Sequence, residues 1–276
     1  MHGWESNPRA RGEDSAEPVR RPRRNRYHWP DRLGPWLLPV GFLLACAIVP
    51  ASMAMSAGPA NQNQSDRIDE RREMVARQIR AREISDTLIL AAMEAVHRHR
   101  FLPDDAILQD GAYADSPLPI GHGQTISQPY IVAYMTEALR LPPDAKVLEV
   151  GTGSGYQAAV LAEIAREVYS IEIVPELATT SQALLSRLGY DNVHVRQGDG
   201  YRGWPEHAPF DGIIVTAAPD HVPPALVEQL ADGARLVIPV GEYTQAMTIV
   251  TKEADGSTVD LTLPVRFVPM TGEAQR

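Results

Sequence analysis

Three glycines at alternate positions, Gly151-Thr152-Gly153-Ser154-Gly155, follow an apolar run and precede a helical pattern. Glycine is required where a backbone turns sharply, or where a ligand approaches with no room for a Cβ. A helix that starts there adds free N–H groups. Dinucleotide sites use the spacing G-x-G-x-x-G; here the glycines run G-x-G-x-G, and Tyr156 stands where the third would fall. Three acids narrow the chemistry. Glu172 closes the next strand pattern, 21 residues after Gly151, where a carboxylate can accept both hydroxyls of a ribose. Asp199, in Gln197-Gly198-Asp199-Gly200, follows the third strand pattern and is positioned to meet an adenine amino group. Glu149, inside the first motif, suits an ammonium group directly or through water. Taken singly, each acid fits a solvated turn and the glycines fit a tight turn. In this order, at successive strand ends, they describe a nucleoside with a cationic amino-acid tail, which is S-adenosyl-L-methionine. Thr152, Ser154, Gly200 and Thr216 are expected at the same site.

The elements that must hold these residues alternate regularly. Strand patterns at residues 146–150, 168–173, 192–197, 210–218 and 234–241 are separated by helical patterns at 156–166, 175–189 and 223–230. Such alternation predicts a Rossmann-like, doubly wound, mostly parallel sheet of the α/β class. Segments near 246–251 and 258–267 predict further edge strands at the C-terminal side. Ahead of the sheet, Ile68, Val75 and Ile79 share helical spacing. A Ser-Asp cap signal then opens a helix over 86–97. Residues 101–126, rich in Pro, Gly and Asp, predict a long ordered loop, and Pro129 opens a helix to about Leu139. Ser127, just before Gln-Pro, reads on spacing alone as an N-cap.

The segment before the sheet carries a more specific signal. Residues 112–130, AYADSPLPIGHGQTISQPY, and the closing Val268-Pro269-Met270-Thr271 resemble the protein-L-isoaspartate O-methyltransferase family. The resemblance spans roughly residues 66–276, and its PIGHGQTISQP core is highly specific. It implies a class I S-adenosylmethionine methyltransferase. The acceptor it implies is the α-carboxylate of L-isoaspartyl residues in damaged proteins and peptides, with repair initiated through a methyl ester and a succinimide. It implies further that Ser127 matches the active-site serine, that Thr125 and Ile126 lie beside the cofactor, and that Thr271 and Gln275 are C-terminal cofactor contacts. His122, between two glycines, reads as a loop-shaping residue. The chemistry fits: an isoaspartyl carboxylate, with a pKa near ~4, is ionised at neutral pH and needs no general base. A methyltransferase of this fold acting on another carboxylate or small molecule is the competing enzyme reading. A tethered module that binds without turnover is the competing reading of another class.

Composition sets the outer bounds. The formal net charge is −9, with eight arginines against five acids in residues 1–32, so the remainder is more acidic still. Such a body offers no electrostatic footprint for nucleic acid. Cys46 is the single cysteine, so no internal disulfide can form. No metal site is expected, since His97 and His99 lie among arginines and read as surface or hinge residues. Residues 1–32 read as a disordered Arg/Pro-rich leader, 33–60 as an apolar signal or membrane anchor, and 61–276 as the methyltransferase domain. Arginines before an apolar span predict a cytoplasmic N-terminus, which would leave the body outside. The donor is cytoplasmic, so a cytoplasmic catalytic body is the expectation. Membrane association through residues 33–55, or export, is the alternative, and a monomer is the working expectation.

Overall fold

The computed structural model describes residues 67–272. The expected leader and apolar segment, and Gln275, lie outside the described residues.

Helix α1, Ile68–Met74, runs on into a π-helical turn, Val75–Ile79, and a 3-10 turn, Arg80–Arg82. Arg71, Met74, Val75 and Ile79 form its buried stripe, while Ile68 is only half-buried. Helix α2, Thr87–Ala95, is capped by Asp86, whose carboxylate accepts from the Leu88 and Ile89 amides at 2.8 and 3.3 Å. It stops two residues short of the expected His97, and a 3-10 turn, Arg98–Phe101, follows.

The expected loop over 101–126 contains regular structure. Asp105 caps a short helix α3, Ala106–Asp110. Strands β1, Leu118–Gly121, and β2, Gln124–Ile126, pair antiparallel. Their turn, Gly121-His122-Gly123, has φ of 89°, 53° and 70°, the left-handed region that two glycines make accessible. Helix α4, Pro129–Leu139, carries proline in its first turn as expected. The cap position belongs to Gln128, and no side chain caps it. The N-cap role expected for Ser127 from spacing is therefore corrected.

The main sheet has the order β5-β4-β3-β6-β7-β8-β9. Its strands are β3 Lys146–Val150, β4 Glu167–Glu172, β5 Val193–Gln197, β6 Phe210–Val215, β7 Leu230–Val240, β8 Gln245–Glu253 and β9 Gly256–Val265. Only β8 runs against its neighbours. Helices α5 Tyr156–Ala162, α6 Pro175–Leu188 and α7 Pro224–Glu228 supply the crossovers. Side chains alternate across a strand, so β3 feeds two cores: Val147 packs in one, Leu148 and Val150 in the other. Burial of each such side chain stabilises by about 1.5–3 kcal/mol. From β3 the chain winds outward through β4 to β5, then returns to β6 on the other side of β3. That reversal opens a crevice beyond the carboxyl ends of β3 and β6.

Candidate active site

The glycine loop sits at this crevice with Gly151, Gly153 and Gly155 at φ of 97°, 53° and 88°. Gly151 is dictated by sterics. The Thr216 hydroxyl, at the end of β6, donates to Gly151 O at 2.6 Å and occupies the space a Cβ would need. A side chain at Gly155 would press on Leu185 of α6. Four of the loop's five amide donors, all but Ser154 N, are already used. Gly151 N and Thr152 N donate to Ile171 O at 2.8 and 3.3 Å, and Gly155 N to Thr152 O at 2.8 Å. Gly153 N donates to Glu172 Oε2 at 2.7 Å. A pyrophosphate cradle needs such N–H groups free. This loop is shaped for close approach of a ligand rather than for binding phosphate.

The acids differ in state. Glu172 is buried, accepts from Gly153 N and from Val174 N (2.9 Å), and still lies on the cavity wall. A carboxylate oxygen has a second lone pair, so hydroxyl donors can still be accepted. Glu149 is completely buried. Its Oε2 accepts from the Ser170 hydroxyl, which is bonded at 2.6 Å to Thr152 Oγ1. Its Oε1 has no hydrogen-bond partner. Burial pushes the Glu149 pKa up to about 8; the Ser170 bond opposes this and the Glu172 charge adds to it. An unpartnered, fully buried carboxyl oxygen fits a cationic donor group such as an ammonium. Glu149 is not itself on the cavity wall, but it reaches Thr152, which is, through Ser170. The Asp199 carboxylate accepts from Tyr201 N at 3.0 Å and caps the turn Gly200–Arg202. Gly200 lines the cavity where Asp199 does not, and Val150 and Met270 leave no room there for a Cβ.

The cavity, its solvent-open mouth included, holds about 780 Å³ of empty space. Of the residues expected from sequence, Thr125, Ile126, Ser127, Gly151, Thr152, Gly153, Ser154, Glu172, Gly200, Thr216 and Thr271 line it. Glu149, Gly155 and Asp199 do not. Sequence reasoning missed Val150, Tyr156, Gln157, Ile171, Val174 and Met270 on the wall. Their common signal is position: each lies within two residues of an expected one. Met270 is drawn in by main-chain bonds, Met270 N to Ala218 O and Ala218 N to Val268 O, both 2.8 Å.

A second groove adjoins the first and shares four residues with it: Thr125, Ser127, Thr216 and Val268. Its other walls include Pro117, Gln128, Ile131, Pro264, Arg266 and Phe267. Ser127 therefore stands where two compartments meet. Its carbonyl accepts from Arg98 Nη1 at 2.8 Å. The neighbouring histidines, His97 and His99, are half-buried and not at the open surface. His99 Nδ1 is bonded to the Tyr113 hydroxyl at 2.7 Å, and burial together with nearby arginines pushes its pKa down to about 4. Among the described residues, no group of three or more His, Cys, Asp or Glu could hold a metal.

A sheet with one reversed strand, and a ligand loop whose N–H groups are mostly taken up by the neighbouring strand, put the molecule among the class I S-adenosylmethionine methyltransferases. The chain belongs to the protein-L-isoaspartate(D-aspartate) O-methyltransferase family, whose pattern matches residues 69–275. It is 59% identical over 209 residues to the protein-L-isoaspartate O-methyltransferase of Opitutus terrae, covering 75% of this chain and 89% of the relative. It is 58% identical over 202 residues to that of Gloeobacter violaceus, covering 72% and 98%. A solved protein-L-isoaspartate O-methyltransferase superposes with a TM-score of 0.68 at 30% identity, covering 73% of this chain and 66% of that one. A Plasmodium falciparum protein-L-isoaspartate O-methyltransferase in complex with S-adenosyl-L-homocysteine superposes with a TM-score of 0.63 at 27% identity, covering 73% and 98%.

Proposed function

We propose that this chain transfers a methyl group from S-adenosyl-L-methionine to the α-carboxylate of L-isoaspartyl residues in damaged proteins and peptides. The observation that carries the reading is Ser127, a residue on the shared wall of the glycine-loop cavity and an adjoining groove. When bound, the donor supplies a methyl group on a sulfonium. Glu172 accepts the ribose hydroxyls, Glu149 answers the ammonium through Ser170 and Thr152, and Thr216 holds the glycine loop in shape. Asp199 belongs to the adenine end through the turn that presents Gly200, and Thr271 closes that wall.

On the acceptor side, no proton has to be removed. The carboxylate is ionised at neutral pH, so the site's tasks are orientation and removal of water. Ser127 donates to one carboxylate oxygen, a charge-assisted bond, and leaves the other free to attack. The product ester is a far better acyl donor than a carboxylate, because methanol can leave where oxide cannot. The backbone amide of the following residue then displaces methanol and closes a succinimide, and hydrolysis returns a share of normal aspartyl linkage. The same reading keeps the catalytic body in the cytoplasm, where the donor is supplied, acting as a monomer. Among the described residues no helix is long and apolar enough to cross a membrane.

The test is incubation of the full chain with methyl-labelled donor and matched isoaspartyl and aspartyl peptides. A base-labile ester on the isoaspartyl peptide alone is the expected result. Donor binding with neither peptide labelled defeats the acceptor assignment.

A further inference from the structure

Arg98 lies in the HRHR run, outside every motif that carries the donor chemistry, and its side chain has no exposed surface. Its guanidinium is met by neutral groups. Nε donates to Ala112 O at 2.8 Å, Nη2 to Ser116 O at 3.3 Å and Nη1 to Ser127 O at 2.8 Å. These three carbonyls belong to one segment, residues 112–127, which carries the β1–β2 hairpin and ends at the serine. The guanidinium carbon also lies 5.2 Å from the centre of the Tyr156 ring, and Tyr156 lines the donor cavity. One side chain therefore touches both the acceptor segment and the helix that follows the glycine loop.

Burying a cation among neutral groups is costly, and carbonyls can be satisfied by neutral donors. What arginine adds is shape: a planar fork of five N–H groups reaches several acceptors at fixed angles. Fixing Ser127 O fixes the peptide plane from which the Ser127 side chain departs. Burial lowers the Arg98 pKa to about 10, so the fork keeps its full set of donors at neutral pH.

We infer that Arg98 is a positioning residue for methyl transfer, tying residues 112–127 so that the Ser127 hydroxyl stands between the donor cavity and the acceptor groove. The inference rests on the role of Ser127 proposed above.

The experiment compares full-length wild type, Arg98→Lys, Arg98→Gln, Ser127→Ala and the double variant Arg98→Lys/Ser127→Ala on an isoaspartyl peptide. S-adenosyl-L-homocysteine binding is measured alongside, and its stoichiometry reports the folded fraction. Lysine keeps the charge, but its single nitrogen cannot span three separated carbonyls. The expected result is a kcat lower by roughly ten- to a hundredfold for Arg98→Lys, with S-adenosyl-L-homocysteine affinity within about twofold of wild type. In the Ser127→Ala background the same substitution should cost less than about threefold, since residues acting through one group are not additive. An unchanged kcat overturns the inference. So does a loss that persists undiminished without the serine, or one matched by equal loss of S-adenosyl-L-homocysteine affinity. Failure of both Arg98 variants to fold overturns it as well, because Arg98 would then hold the fold and not the site. Failure of wild type to methylate the peptide, or full activity in Ser127→Ala, defeats the underlying reading instead.

Discussion

The donor and acceptor halves of the site are held by different means. On the donor side, each anchoring contact runs to a strand end: Gly151 and Thr152 to Ile171, Gly153 to Glu172, and Gly151 O to Thr216. The sheet itself sets these positions. On the acceptor side, the hairpin and residues 264–268 lie outside the parallel core of the sheet. The hairpin segment is strapped down by a buried cation and by Arg82, which pairs with Asp115. A ligand that is the same in every turnover is met by the least deformable part of the molecule. A substrate that arrives on many different proteins is met by segments that can differ without disturbing the sheet. The difference separates how tightly a ligand is gripped from how it is chosen.

The largest expected effect tests the rigid half. Gly151→Ala places a Cβ against the Thr216 hydroxyl at a φ of 97°. Left-handed strain of about 1–2 kcal/mol and overpacking of about 1–3 kcal/mol are relieved only by displacing the loop from the ligand's seat, which predicts roughly a hundredfold weaker S-adenosyl-L-homocysteine binding, read by calorimetry. Binding within threefold of wild type would break the claim that this half cannot adjust.

Ser127→Ala should act on the other half alone. Loss of one charge-assisted bond, about 1.5–3 kcal/mol, predicts a kcat lower by roughly ten- to a hundredfold with donor affinity unchanged. A parallel fall in donor affinity would erase the distinction between the halves.

The smallest effect is a pH dependence centred on Glu149. Its folded pKa, about 8, lies above the ordinary carboxylate value. The native state therefore keeps a proton that the unfolded chain releases. This term makes the ligand-free protein less stable as pH rises from the ordinary carboxylate range toward about 8. An ammonium pairs with the ionised form only, so donor-site affinity should rise about fivefold from pH 7 to pH 8, with proton release. Calorimetry of S-adenosyl-L-homocysteine in two buffers measures both, and Glu149→Gln should flatten the slope. A flat profile in the unsubstituted protein removes Glu149 from the ammonium end.

The two halves also differ in how far sequence discloses them. The strand–helix alternation, glycine placement and the acids at strand ends were legible because a parallel sheet imposes period and spacing on its own sequence. Glu172 and Thr216 follow directly from that periodicity. At Asp199 the periodicity places the acid, while the folded chain adds what spacing does not show: the carboxylate caps the Gly200–Arg202 turn, and Gly200 forms the wall. Residues 101–126 read as loop because α3, β1 and β2 are each five residues or fewer, too short to establish a period. Ser127 was legible only through its resemblance to a family, and on spacing it looked like a cap. Arg98 left no signal, because a charge that ends up buried is indistinguishable in sequence from one in solvent.

The internal bonding of the glycine loop also bears on the speed of binding. A loop in which four of five amides already have partners needs little rearrangement to receive its ligand. Little conformational entropy is then lost on association, and encounter is limited by diffusion and orientation rather than by folding of the site. The donor should enter a ready-made seat, which suits an enzyme whose damaged substrates arrive rarely and unannounced.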